Sequence, residues 1–181
     1  AVARRGERAL YVSAEESPAQ VRQRAQRLGV LHDELWLAGL HDVEALAAEV
    51  ERLHPELVVV DSIQTVALPD VAAAPGSVGQ VRASALRLAE VARATDAAVL
   101  LIGHVTKDGS LAGPRQLEHL VDTVLGFEGD RHHALRLLRA SKHRFGPTSE
   151  LGLLEMHQGG LVDVDDASGL LLADRRPAAA G

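Results

Sequence analysis

The chain has 181 residues, 46% hydrophobic and 24% charged, with 19 Lys and Arg against 25 Asp and Glu for a net charge of −6. That is enough for one domain with a substantial core, and it excludes disordered, collagen-like and low-complexity chains. The longest apolar run, residues 97–102, falls far short of the ~20 residues of a bilayer-spanning helix, and the absence of cysteine excludes disulfides, thiolate metal sites and a cysteine nucleophile. A cytoplasmic location is therefore the expectation. The chain opens on Ala1 and its only methionine is Met156, so it reads as part of a longer protein.

In chain order, Ala9 to Ser13 is a short β-prone run ending in small and acidic residues, Ala14, Glu15 and Glu16. Ser17-Pro18-Ala19-Gln20 has capping-box spacing with proline at the first helical position, and Val21, Ala25 and Leu28 form an apolar stripe that ends at Gly29. Leu35 to Leu37 predicts a second strand. Asp42 then caps a helix whose Val43, Leu46, Ala47, Val50 and Leu53 recur at helical spacing up to His54-Pro55. The apolar run Leu57 to Val60, closed by Asp61, suits the middle of a parallel sheet. Residues 67–76 are rich in Ala, Pro, Asp and Gly, the composition of a mobile loop. Ser77 and Gln80 repeat the capping-box spacing ahead of a long helix, and Ala98 to Ile102 reads as another central strand, closed by Gly103-His104.

A second loop, Thr106 to Pro114, leads to a short helix around Gln116 to Leu120. Beyond it the texture changes: Thr123–Phe127, Ala134–Ala140, Gly152–Met156 and Leu161–Val164 read as consecutive strands with glycine turns between them. The expected fold is α/β, a mostly parallel sheet flanked by helices with C-terminal antiparallel strands. It spans residues 1–172, and 173–181 form a tail or linker.

Ligands of open α/β sheets sit at the carboxyl ends of the strands, and here those ends carry Glu15 and Glu16, Asp61 and Ser62, and His104. A rigid strand ending in Asp suits a magnesium–nucleotide site, although the same residue also serves a simple turn or cap. Glu15 can act as a general base toward water or favour a helix N-terminus, and His104 can sense a phosphate or face solvent. From Arg131 to Arg144 there are five formal positive charges and no carboxylate, a strip suited to an anionic partner or to a solvated strand face. Lys142 and Arg144, two apart on a predicted strand, would point together. The phosphate-cradling motif G-x-x-x-x-G-K-[ST] is absent, since neither Lys107 nor Lys142 follows a glycine. Either no such loop is used or it lies upstream of Ala1.

The strings LVVVDSI (57–63), PGSVGQVR (75–82), GHVTKDGSLAGP (103–114) and SKHRFG (141–146) resemble the ATPase domain of the bacterial RadA (Sms) family of RecA-like DNA repair proteins. The resemblance runs from about Ala9 to about Leu172. It implies a RecA-like fold that uses ATP and Mg2+, with Glu15 as the catalytic carboxylate and Asp61 as the Walker B acid near magnesium. His104 would couple the γ-phosphate to a DNA loop. Lys142 and Arg144 would reach the nucleotide of a neighbouring subunit, with His143 where the family's K-N-R-F-G motif has Asn. Lys107, Arg115 and Arg82 would meet DNA phosphates.

The family's zinc ribbon and P-loop precede this stretch, so zinc belongs to an upstream region. The implied partners are single-stranded or branched DNA, a recombinase, and further copies of the chain in a ring. Three readings of function follow: an ATP-driven DNA motor of recombination that acts in branch migration, a non-catalytic DNA-binding and assembly module, or a RecA-like regulatory ATPase.

Overall fold

Strands and helices alternate through the first 104 residues of the computed structural model, which describes residues 1–104, 117–129 and 134–164. After a 3-10 turn at Ala3–Arg5 come β1 (Ala9–Ser13), α1 (Pro18–Arg27), β2 (Leu35–Ala38), α2 (Val43–Leu53), β3 (Leu57–Asp61), α3 (Val78–Thr95) and β4 (Ala98–Ile102). All strand pairs are parallel, in the order β2-β1-β3-β4. The expected α/β class and parallel sheet are present, and parallel pairing brings every strand's carboxyl end to the same edge.

The helix boundaries follow their caps. At α1, Ser17 and Gln20 complete a reciprocal capping box, with Pro18 in the first turn. The Asp42 carboxylate accepts from Glu44 N at 2.8 Å to start α2, and His54 ends it in the left-handed region at φ 48° before Pro55. α3 departs from its predicted box. Ser77 Oγ accepts from Gln80 N, but the Gln80 amide turns to the preceding loop: it accepts from Leu68 N at 3.2 Å and donates to the carbonyls of Leu68 at 2.9 Å and Ala73 at 3.3 Å.

Composition marked residues 67–76 as a mobile loop; the structure ties this segment to α3 because backbone groups leaving water need partners. Gln80 is 2% exposed. Gln80→Leu removes these bonds at nearly constant volume and is expected to cost about 1–3 kcal/mol, the penalty of stranded polar groups. Urea denaturation of the two proteins side by side measures it.

Leu10, Val12, Val58 and Val60 form the sheet's contribution to the core, packed with Leu46, Val50, Val81 and Leu88 from α2 and α3. The single turn at 117–120 adds Leu117 to the same cluster. Alternation places Tyr11, Val59 and Asp61 on the opposite face of the sheet.

Ala98–Ile102 forms the expected strand, β4; among the described strands it is bonded to β3 alone, and Leu100 is 46% exposed. An apolar run reports burial of a strand's faces and carries no information about what pairs with its edges.

The chain divides into two compact units, Ala1–Val121 and the residues from Asp122 onward. The second is an antiparallel meander of β5 (Thr123–Gly129), β6 (Leu135–His143), β7 (Leu151–His157) and β8 (Gly160–Asp163). All four predicted strands are present there. Residues 173–181 lie outside the described residues.

Candidate active site

β1 and β3 are adjacent, with Ser13 opposite Asp61 in the register. The chain therefore leaves β1 beside the Asp61 carboxylate, and Ala14 N donates to Asp61 O at 2.8 Å. Glu15 follows directly. Its Oε1 accepts from Ser62 Oγ at 2.7 Å and from His104 Nε2 at 3.0 Å. Ser62 is fully buried and is held by Thr65, whose hydroxyl donates to Ser62 O and accepts from Ser62 N. His104 is steadied from behind by Gln64, whose Nε2 donates to the His104 carbonyl at 3.2 Å. Ligand-capable atoms of Glu15, Asp61 and His104 all lie within 4.8 Å of one another. Three residues chosen from strand ends thus converge on one point.

The electrostatics follow from these contacts. The hydrogen bond from Ser62 holds the Glu15 carboxyl below its ordinary range, opposed by burial and reinforced by His104. Glu15 is therefore ionised at neutral pH. Asp61 Oδ2 accepts from the Tyr11 phenol at 2.5 Å. Burial, followed by the bond to and charge of Asp61, raises the Tyr11 pKa, so the phenol stays protonated and acts as a donor. Glu16 is different: Arg24 neutralises it in an ion pair.

Beside Glu15 a cleft of about 300 Å³ is lined by Ser13, Glu16, Ser17, Gly39 and His41 among others. Two oxygen-donor carboxylates at one edge fit a hard cation such as Mg2+, which prefers oxygen ligands and keeps several waters. The imidazole, already bonded to Glu15, is not needed as a ligand.

The basic candidates lie apart from this cluster in sequence. Lys142 is near the end of β6, but Arg144 lies beyond it, in the turn that follows His143. The expected i, i+2 pair on one strand face is corrected accordingly. Arg144 N donates to Asp122 O at 2.9 Å, and its guanidinium pairs with the Asp122 carboxylate at 3.1 Å and lies over the Phe145 ring. The turn is tight here, since a Cβ on Gly146 would come within 2.8 Å of the His143 ring. His143, in the place of the family Asn, bonds through Nδ1 to Thr123 Oγ1 at 2.9 Å.

The predicted cationic strip is also divided. Along β6, Arg136 and Arg139 lie on opposite faces of the sheet, the register shift at Val124/Leu125 brings Lys142 to the face of Arg139, and Arg139 pairs with Glu128 of β5. A count along one strand omits the carboxylates supplied by its neighbour. Arg82 is exposed on α3; Lys107 and Arg115 lie outside the described residues.

The sequence places Ser62 at a strand end without assigning it a role, and it gives no sign of the roles of Tyr11 and Gln64. Those of Tyr11 and Gln64 require the register of β1 against β3 and the position of Gly103-His104.

Residues 1–110 match a family model described as AAA domain. The chain belongs to the AAA domain family. Among its curated relatives it is 49% identical over 172 residues to the DNA repair protein RadA of Streptococcus pneumoniae, covering 95% of this chain and 41% of that protein. It is 48% identical to the DNA repair protein RadA of Bacillus subtilis, covering 95% of this chain and 38% of that protein. The RadA resemblance carried by the four motifs is thus borne out, and the chain spans about two fifths of the length of these relatives.

Among solved structures, a KaiC-like protein from Pyrococcus horikoshii OT3 superposes with a TM-score of 0.65 at 17% identity, covering 89% of this chain and 78% of that one. That likeness establishes the RecA-like fold of this AAA domain member.

Proposed function

We propose that this chain forms the hydrolytic centre of an ATP-dependent DNA repair motor of the RadA type. The observation that carries the reading is the convergence of Glu15, Asp61 and His104 at the carboxyl edge of the parallel sheet, with both carboxylates held by hydroxyl donors. In this reading Asp61 would help to hold the magnesium of Mg–ATP, and the ion would supply charge neutralisation for the phosphates. Glu15 orients the attacking water and holds its proton as the bond to the γ-phosphorus forms and ADP departs. Position matters more than basicity in phosphoryl transfer, which suits a carboxylate whose pKa is lowered.

His104, bonded to Glu15, would exchange that bond for one to the γ-phosphate and pass the change to the following loop. Lys142 and Arg144 would act on the nucleotide of a neighbouring subunit. In that case Arg144 exchanges its pairing with Asp122 for phosphate. Arg82, Lys107 and Arg115 would meet the backbone of single-stranded or branched DNA in a homo-oligomeric ring that works with a recombinase in branch migration. The RadA names of the relatives support the DNA repair setting, and a cytoplasmic setting accords with it.

A second reading, a non-catalytic DNA-binding and assembly module, draws on the exposed Arg82 of α3 and the basic residues of β6. The experiment compares Mg–ATP binding and DNA-stimulated hydrolysis by this chain and by the longest natural polypeptide containing it. The expected result is that the longer protein hydrolyses ATP faster with single-stranded DNA. Salt-sensitive DNA binding with no hydrolysis by either protein replaces the motor by the module, and hydrolysis indifferent to DNA points to a regulatory ATPase.

A further inference from the structure

The three acidic side chains at this edge are restrained by different chemistry. Glu16 is matched by the Arg24 guanidinium, which cancels its charge. Glu15 and Asp61 are held by uncharged hydroxyls, those of Ser62 and Tyr11. A neutral donor fixes a carboxylate's orientation and leaves its full charge available to a cation. Asp61 Oδ2 is occupied by Tyr11, and Oδ1 has no hydrogen bond among the described residues.

The geometry behind the Tyr11 bond is specific. Tyr11 is opposite Val59 in the β1–β3 register and Asp61 is two residues further on, so the two side chains share a face on a diagonal that a long aromatic side chain can span. The neighbours of Tyr11 on β1 and its register partner are apolar or small. Phenylalanine would serve the packing equally well, and the hydroxyl has Asp61 as its partner.

We infer that Tyr11 is a positioning residue for Asp61: its phenol holds one carboxylate oxygen so that the other is presented, singly and in fixed orientation, to the divalent cation. The inference rests on the proposed nucleotide site and adds a residue to it. Partners of this kind, one bond removed from the metal, typically contribute ten- to hundred-fold in metal affinity.

The test uses Mn2+ as the probe in the longest natural polypeptide containing this chain, with bound Mn2+ read by electron paramagnetic resonance in the presence of ATP. Tyr11→Phe is expected to weaken Mn2+ binding roughly ten- to hundred-fold, with the metal-free thermal midpoint little changed. Asp61→Asn is the control for the site itself. If Asp61→Asn weakens Mn2+ binding and Tyr11→Phe does not, the phenol is only a satisfied packing group and the inference fails alone. If neither variant moves Mn2+ affinity, or the unsubstituted protein binds none, the site reading fails and the inference with it. A readout in the unsubstituted protein covers the case where the variant misfolds. The 13C resonance of the labelled Tyr11 ring is expected to shift on saturation with Mg2+, and an unmoved resonance overturns the role of Tyr11.

Discussion

Replacing Glu15 by Gln in the longest natural protein containing this chain is expected to lower ATP hydrolysis roughly a hundred- to ten-thousand-fold, the usual contribution of a positioned acid–base group. Nucleotide binding should be nearly unchanged. Gln keeps the shape and an oxygen that can accept from Ser62 and His104, so the bonds that tie β1 to β3 and to His104 can survive. What is lost is the anionic charge that steers a water and takes up its proton. Steady-state phosphate release combined with fluorescent-nucleotide binding separates the two effects, and hydrolysis at half the original rate would remove Glu15 from the chemistry.

The substitution also has a signature in acid. The Glu15 carboxyl is held below its ordinary value in the folded chain, chiefly by Ser62. Its stabilising contribution is therefore present above the unfolded carboxylate pKa and disappears as pH falls through the lower, folded value. Glu15→Gln should accordingly reduce the dependence of stability on pH on the acid side and leave it unaltered near neutrality.

Leu46→Ala is expected to destabilise the first unit by about 2–5 kcal/mol, the range for truncating a fully buried leucine. Leu46 is 0% exposed and belongs to the cluster that joins α2 and α3 to the sheet. Few atoms around it are free to collapse into the space. Set against a total stability of about 5–15 kcal/mol, that loss would leave a large part of the population unfolded in mild urea. The matching change in the second unit, Leu125→Ala at 53% exposure, should stay within about 0.5 kcal/mol. Equal effects at the two positions, measured as shifts in urea midpoint with unchanged slope, would mean that burial does not rank these sites.

Most of the secondary structure was legible in the sequence because its signals are local. Ser17 with Gln20, Asp42, and His54 before Pro55 each mark a helix end through the residues beside it, and the bounds of β1 and β3 match the apolar runs residue for residue. The candidate site was legible in part for the same reason, since parallel strands with short connections bring Glu15, Asp61 and His104 to one edge. The remainder depended on contacts distant in sequence. Whether β4 is central depends on its pairing, and the side chain of Gln80 was claimed by carbonyls up to 12 residues upstream. The length of β6 was set by its partners, which leave Arg144 in a turn. Tyr11 was hidden most completely, because a tyrosine in a strand looks like any half-buried aromatic until the neighbouring strand is placed beside it.

The pairing of the strands bears on how firmly the site is held. β1 and β3, which carry Glu15 and Asp61 at their ends, are each bonded to strands on both sides; β4, which carries His104, is bonded to β3 alone among the described strands. Both acidic groups are therefore held twice, by backbone pairing of their strands on two sides and by the hydroxyls of Ser62 and Tyr11.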